Sequence, residues 1–370
     1  MVPAMPLLPA ALVNRLLPQL RPLRRGALAS LVREDIFDFY GRLLHPQLQL
    51  HRVFARVLSC REEGDSSLVL TLAPSANWRG MQPGQHVALT VDIDGIRHTR
   101  RYSPSVLPGG QVEITVKRQE GGLVSGWLHE QAKPGDYLEL GQAEGDFVLP
   151  ATPPAKLLLL AAGSGITPLL AMLRALRAQA YQGDVVMLYY GRRRANLAHL
   201  TDLASFPGLR LHICLTGEAP GDGESSGRFS AAQLDELVPD AAERRAYACG
   251  AHGFVASVRA VWQARALPAL ADEAFTPPVW QAADDLPITL TFARSVGQLP
   301  GRTGSTLLEQ AEALGLRPAF GCRMGICNTC SCHKRTGAVR DLRTGLVSTE
   351  PDEAIRLCIS APVGDVILDL

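Results

Sequence analysis

Residues 155–176 read AKLLLLAAGSGITPLLAMLRAL. Four consecutive leucines, Leu157–Leu160, form a short apolar run of the kind found in strands buried on both faces of a parallel sheet. Gly163 and Gly165 break the run, and from Ile166 onward the apolar residues belong to a helix. A buried strand, a glycine turn and a helix in succession make a dinucleotide-type turn, where backbone N–H groups at a helix start meet an anion. Pro168 stands where the last glycine of that fingerprint is often found.

Reading outward, "DVVMLYYGRRR" (184–194) predicts a second strand and "LRLHICLTG" (209–217) a third, and "RAYACGAHGFVASVRAVW" (245–262) predicts strand, turn and helix. Alternating strands and helices imply a doubly wound α/β domain over 151–276. Upstream, "RVFARVLSC", "SLVLTLAP", "HVALTVDI", "QVEITVKR" and "DYLELGQ" are short and β-rich, separated by Gly, Pro and Asp. They predict an antiparallel β-barrel over 51–150. Downstream, "FTPPVWQAADDLP" predicts a linker, placed at 277–286, and a third domain follows at 287–370. Within that domain "ITLTFARS" and "VGDVILDL" read as strands, and Thr306 with Glu309 as a capping box opening a helix.

The chain has 370 residues, 46% of them hydrophobic, and a formal charge of +1, which gives no nucleic-acid footprint. No apolar run reaches the roughly 18 residues of a membrane-spanning helix. Residues 1–50 begin basic and apolar, with no acid before Glu34. Pro3, Pro6, Pro9 and Pro18 interrupt this start, and no small-residue cleavage site follows, against a signal peptide. Two readings remain: a helical lead-in against the protein body, or a basic amphipathic segment touching a membrane or a membrane-bound partner. The expected location is cytoplasmic, with or without contact at the inner face of the membrane, and the expected state is a monomer.

Five of the eight cysteines lie near the C-terminus, four of them in "FGCRMGICNTCSC" (320–332). Their crowding points to a metal site in a reducing compartment rather than to disulfides. Cys322, Cys327 and Cys330 give C-x4-C-x2-C, with Cys358 downstream, the spacing of a plant-type [2Fe–2S] site. The alternative is zinc, which favours paired C-x2-C knuckles, and only one such pair occurs here. Gly321 and Gly325 let the loop bend closely around the metal. Strand alternation directs Cys332 away from it, as a small core residue. This segment and "LCISAPVGDVILDL" resemble plant-type ferredoxin domains over about residues 287–370. The resemblance implies an α+β, β-grasp domain.

"RHTRRYSPS" carries Arg100, Tyr102 and Ser103, the R-x-Y-S pattern of the ferredoxin–NADP reductase family. The resemblance continues in order through "GGLVSGWL" (Gly122, Ser125), "GDFVLP" (Phe147), "AGSGITPL" (Gly163, Gly165, Thr167, Pro168), "YACGAHGF" (Cys249, Gly250) and "DEAFTPP" (Glu273, Phe275). It covers residues 51–276. It implies FAD, with Arg100 on the pyrophosphate, Tyr102 stacked on the ring, Ser103 at the hydride-accepting nitrogen, and Gly122, Ser125 and Phe147 around it. It places Cys249 and Gly250 at the nicotinamide, with Glu273 and Phe275 near the flavin. Ser103, Cys249 and Glu273 are thereby the candidate catalytic residues. Taken singly, several have plainer readings: Cys249 as a buried structural cysteine, Phe275 as core packing. Ala251 and His252 stand where the family usually has proline after Cys-Gly.

Arg192, Arg193 and Arg194 follow the second strand, and Arg228 comes later; arginine here favours NADPH over NADH, although a solvated basic turn is the alternative. The whole chain resembles bacterial reductase components. It resembles in particular the NADPH oxidoreductases of acyl-CoA desaturase systems, with "DFYGRLLHPQ" resembling their entry segment. This implies electron flow from NADPH to FAD to [2Fe–2S] to a terminal desaturase. The other expectation is the reductase of a soluble hydroxylating oxygenase.

Overall fold

The structure is a computed structural model that describes residues 8–20, 34–268, 270–275, 285–295 and 297–370. The predicted 277–286 linker lies outside the described residues except for Asp285 and Leu286. Two compact units are present: Met1–Cys249 with Ser257–Asp272, and Gly250–Ala256 with Glu273–Leu370.

The first unit begins with helices α1 (Ala10–Leu20) and α2 (Glu34–Leu44). They gather Val13, Leu17, Phe37 and Leu48 into a small cluster. Seven antiparallel strands follow: β1 (Val53–Glu63), β2 (Ser67–Pro74), β3 (Val87–Ile93), β4 (Ile96–Tyr102), β5 (Ser105–Val106), β6 (Val112–Lys117) and β7 (Tyr137–Leu140). Their order is β4-β3-β7-β1-β2-β6-β5. Inward residues such as Val87, Leu89 and Val91 alternate with outward ones and share one core with Val124 and Leu128 of helix α3 (Leu123–Gln131).

The nucleotide-type sheet contains β8 (Lys156–Ala162), β9 (Asp184–Gly191), β10 (Leu209–Leu215), β11 (Ser225–Ser226), β12 (Arg245–Gly250) and β13 (Leu270–Ala274). Their order is β11-β10-β9-β8-β12-β13, with parallel pairing from β11 through β12. The helices between and after these strands are α4 (Ile166–Ala178), α5 (Leu200–Ala204), α6 (Ala231–Leu237) and α7 (His252–Ala264). Leu157–Leu160 are all completely buried, as a strand covered on both faces requires. A polar seam joins the two sheets of this unit. Gly64 has a φ of +58°, and a Cβ there would come 2.6 Å from the Ala195 carbonyl oxygen. The Asp65 N–H donates to that same oxygen at 2.9 Å. Arg174 on α4 bridges Glu113 on β6 and Asp202 on α5, at 2.6 Å each.

The second unit carries β14 (Pro287–Phe292), β15 (Gly297–Arg302), α8 (Leu307–Ala313), β16 (Ser331–Asp341), β17 (Val347–Ser348), β18 (Glu353–Arg356) and β19 (Ser360–Leu368). The sheet order is β15-β14-β19-β16-β17, and β18 pairs with β16. The Thr306–Glu309 capping box forms in both directions at the start of α8. Leu307, Leu308 and Ala311 of α8 pack on Leu290, Phe292, Val366 and Leu368.

Candidate functional site

The flavin-type residues begin on β4. Arg100 and Tyr102 are two apart on β4, so they share a face, opposite Leu89 and Val87 of β3. The Tyr102 ring rests on the core of the sheet, and burial pushes its phenol up to about 12. Arg100 is exposed and donates to the Thr99 carbonyl oxygen at 2.8 Å. Ser103 is 4% exposed, and its Oγ has no hydrogen-bond partner among the described residues. Leaving a buried hydroxyl unmet costs about 1–3 kcal/mol, so this hydroxyl suits a site completed by a bound polar atom. Gly122 is the N-cap of α3, and the Ser125 hydroxyl accepts from the Gln119 N–H at 3.1 Å and donates to the Gly122 carbonyl oxygen at 3.2 Å. That serine braces the loop before the helix. Phe147 is buried edge-on against Tyr247, with ring centroids 5.8 Å apart. The flavin-type residues therefore fit the group: an exposed guanidinium, a ring and an unmatched hydroxyl come within four consecutive positions at the end of β4.

The second group lies at the C-terminal ends of β8 and β12, where open α/β sheets take their ligands. Gly163 has a φ of +55°, favourable only for glycine, and Gly165 is the N-cap of α4. The Thr167 hydroxyl donates to the Ser164 carbonyl oxygen at 3.1 Å, and Pro168 sits in the first turn of α4, where a missing N–H breaks no helical bond. Cys249 is completely buried, in register with Ala161. Glu273 is 4% exposed on β13, and the N–H of half-buried Phe275 donates to the Gly250 carbonyl oxygen at 2.8 Å.

The structure adds one residue that sequence reasoning missed. Lys117 ends β6, and its Nζ lies 3.6 Å from where a Cβ at Gly163 would be. Desolvation, followed by the charge of Arg192, lowers its pKa. A cation held over a glycine turn suits a phosphate chain. The signal was present in "VKRQEGG", but only the fold brings β6 to the turn. The arginines separate. Arg194 is ion-paired with Glu224, and Arg193 lies 3.9 Å from Asp65. Arg192 and Arg228 are exposed.

The third group is the cysteine loop. The N–H groups of Met324 and Cys327 each donate to Cys322 Sγ at 3.3 Å, and the Cys322 N–H donates to Cys327 Sγ at 3.3 Å. Cys330 Sγ lies 3.3 Å from Cys358 Sγ. Hydrogen bonding from Cys327, then Cys358, holds Cys322 far below the usual thiol range, and contact with Cys358 lowers Cys330 to about 7. The same contacts act the other way on their partners: Cys322 pushes Cys327 up to about 12, and Cys322 with Cys330 pushes Cys358 far up, so what fits a thiolate-ligated metal group is four converging sulfurs beside amide donors. Gly321 is needed for close approach, since a Cβ there would come 3.0 Å from Cys327 Sγ. Cys332 is on β16, buried in the core opposite Ile355, and burial pushes its thiol up.

The family described as oxidoreductase FAD-binding domain matches residues 64–148, oxidoreductase NAD-binding domain matches 159–260, and 2Fe-2S iron-sulfur cluster binding domain matches 294–363. An NADPH oxidoreductase of Mycobacterium tuberculosis is 34% identical over 348 residues, covering 90% of this chain and 88% of the relative. The chain belongs to the ferredoxin–NADP reductase family, with a C-terminal [2Fe–2S] ferredoxin domain. The glycine betaine monooxygenase reductase subunit of Chromohalobacter salexigens is 30% identical over 321 residues, covering 78% of this reductase and 87% of that subunit. The solved phthalate dioxygenase reductase is similar in fold, with a TM-score of 0.55 and 22% identity over 86% of this reductase and 98% of that chain. The reductase is an NAD(P)H-dependent oxidoreductase with FAD-, NAD(P)- and 2Fe-2S-binding domains, an electron-transfer protein like the reductase components of oxygenases.

Proposed function

We propose that this reductase takes electrons from NADPH and delivers them singly to a terminal acyl desaturase at a membrane surface. When bound, FAD accepts hydride and the [2Fe–2S] group passes one electron at a time. The chain's own residues bind and orient these groups. Arg100 neutralises the flavin pyrophosphate with the α3 start at Gly122, Tyr102 covers the ring, and Ser103 donates to the ring nitrogen. Gly163, Gly165 and Lys117 hold the nucleotide phosphates, and Thr167 and Pro168 keep the helix start in place. Cys249, at the end of β12, lines the nicotinamide side. Phe147 backs the end of the antiparallel domain. Cys322, Cys327, Cys330 and Cys358 ligate the iron.

NADPH preference is assigned to Arg192 and Arg228, because Arg194 is paired with Glu224 and Arg193 lies 3.9 Å from Asp65. The double substitution Arg192→Ala with Arg228→Ala is expected to lower kcat/KM for NADPH about 100-fold, roughly two charge-assisted contacts, and to leave NADH almost unaffected. Equal losses with both nucleotides would remove the assignment. Lys117→Gln is expected to raise KM for NADPH about tenfold, with kcat little changed. A fall confined to kcat would show that Lys117 does not bind phosphate.

The observation that carries the membrane-side acceptor is the outer face of α2. Ile36, Phe39, Tyr40 and Leu43 recur at helical spacing and are 46%, 54%, 61% and 52% exposed. The opposite face is fastened down: Phe37 packs with Val13 and Leu17, and Asp38 Oδ1 accepts from the Leu50 N–H at 2.7 Å. Residues 1–33 contain five arginines and no acid. An apolar stripe beside basic sequence suits an anionic lipid surface. The reductase is expected to co-sediment with vesicles containing phosphatidylglycerol, more weakly with pure phosphatidylcholine, and to lose binding in Phe39→Ser with Tyr40→Ser. Electron delivery should then be faster to a membrane-embedded desaturase than to a soluble oxygenase. The rival reading, a soluble hydroxylating oxygenase, is favoured by the monooxygenase reductase relatives. Faster turnover with such an oxygenase and no vesicle binding would establish it instead.

A further inference from the structure

The iron-binding loop is pinned by two arginines that come from elsewhere in the second unit. Gly325 sits between Cys322 and Cys327, is buried, and has a φ of +71°. Its carbonyl oxygen accepts from Arg343 Nη1 at 3.0 Å and also from Arg356 Nη1. Arg343 lies in the turn between β16 and β17, where Asp341 Oδ1 accepts from the Arg343 and Thr344 N–H groups. Arg356 is the last residue of β18, two before Cys358. Both side chains are only partly exposed. The glycine is shaped for this contact. A Cβ there would meet Ile359 Cδ1 at 2.5 Å and Arg343 Cδ at 3.1 Å. A third arginine, Arg323, does not reach this carbonyl in any hydrogen bond among the described residues; its guanidinium meets Glu312 at 2.5 Å and lies over the Phe320 ring.

One hydrogen bond would satisfy the carbonyl. Two guanidiniums on one buried oxygen bring two positive charges close to the loop between two ligands. A cluster held by four thiolates is negatively charged and gains another negative charge on reduction. Nearby positive charge therefore favours the reduced state, and partial burial limits solvent screening.

We propose that Arg343 and Arg356 set the reduction potential of the [2Fe–2S] site through their shared hold on the Gly325 carbonyl. They raise it far enough for the site to draw single electrons from the flavin. They are positioning residues that act on the site by charge, and neither is a ligand. The proposal rests on the four-cysteine ligand assignment, which is read out separately below.

The test uses the full-length holoprotein. Midpoint potentials are measured by redox titration followed by electron paramagnetic resonance, alongside the visible cluster absorbance. Arg343→Met and Arg356→Met are each expected to shift the reduction equilibrium about tenfold toward the oxidised form, ~59 mV for one electron. Arg343→Lys and Arg356→Lys keep the charge and are expected to stay within about threefold of the wild type. An unchanged potential in both methionine variants, with the cluster intact, would overturn the proposal. So would loss of cluster absorbance in the methionine variants, since the pair would then be a loop anchor only. A wild-type protein without the [2Fe–2S] signal would instead sink the ligand assignment.

Discussion

Cys327→Ser is expected to remove the visible absorbance of the [2Fe–2S] site and to reduce NADPH-dependent cytochrome c reduction on the order of 100-fold. Ferricyanide reduction, which flavoproteins support directly, should persist. The reason lies in the loop. Cys327 is 2% exposed, its Sγ accepts the Cys322 N–H, and its own N–H supports Cys322 Sγ. One substitution thus removes a thiolate and the orientation of its neighbour, and a serine oxygen is a harder, poorer ligand for this iron site. Cys332→Ser is the control. Its side chain lies in the apolar core beside Ile355, so the cluster absorbance should remain, with a stability loss of about 1 kcal/mol. Loss of absorbance in Cys332→Ser with retention in Cys327→Ser would reverse the ligand assignment.

Gly163→Val should be nearly as damaging, at the other end of the electron path. Valine disfavours the positive φ of +55° by about 1–3 kcal/mol, more for a β-branched residue. Its Cβ would lie 3.6 Å from Lys117 Nζ, so its methyl groups would enter the space proposed for the phosphate. Flavin reduction by NADPH is expected to fall at least about 100-fold, from strain and lost phosphate contact together. The bound flavin and the cluster absorbance should be unchanged. Stopped-flow reduction of the holoprotein separates this from general unfolding, and a rate within a factor of about two of wild type would refute the role given to the turn.

Much of the fold was legible because its signals are local. The β8–Gly163–α4 succession is a change from a continuous apolar run to helical spacing, and it reads the same in the chain as in the fold. The Thr306–Glu309 cap is a three-residue device and formed as read. β4 was visible only as the carrier of Arg100 and Tyr102. Its sequence, IRHTRRY, lacks alternation because it is an edge strand with mostly exposed residues. The short strands β5, β11 and β17 were invisible for another reason: two-residue ladders have no periodicity and exist only through their partners.

The site divides along the same line. Cysteine spacing, glycine turns and the R-x-Y-S tetrapeptide are short-range features, so the sequence alone was enough to name the proposed iron loop, flavin strand and nucleotide turn. Neither arginine pair could be sorted that way. Arg192, Arg193 and Arg228 were the candidates for the NADPH phosphate, and in the fold all three are exposed, with Arg193 3.9 Å from Asp65 and Arg194 paired with Glu224. Lys117 reaches Gly163 across 46 positions of chain, and Arg343 and Arg356 reach Gly325 across 18 and 31. Such contacts depend on where separate strands and turns are carried by the packing of their cores. Local sequence determines which turn or ligand loop a segment makes; only the assembled fold decides which distant charge comes to stand beside it.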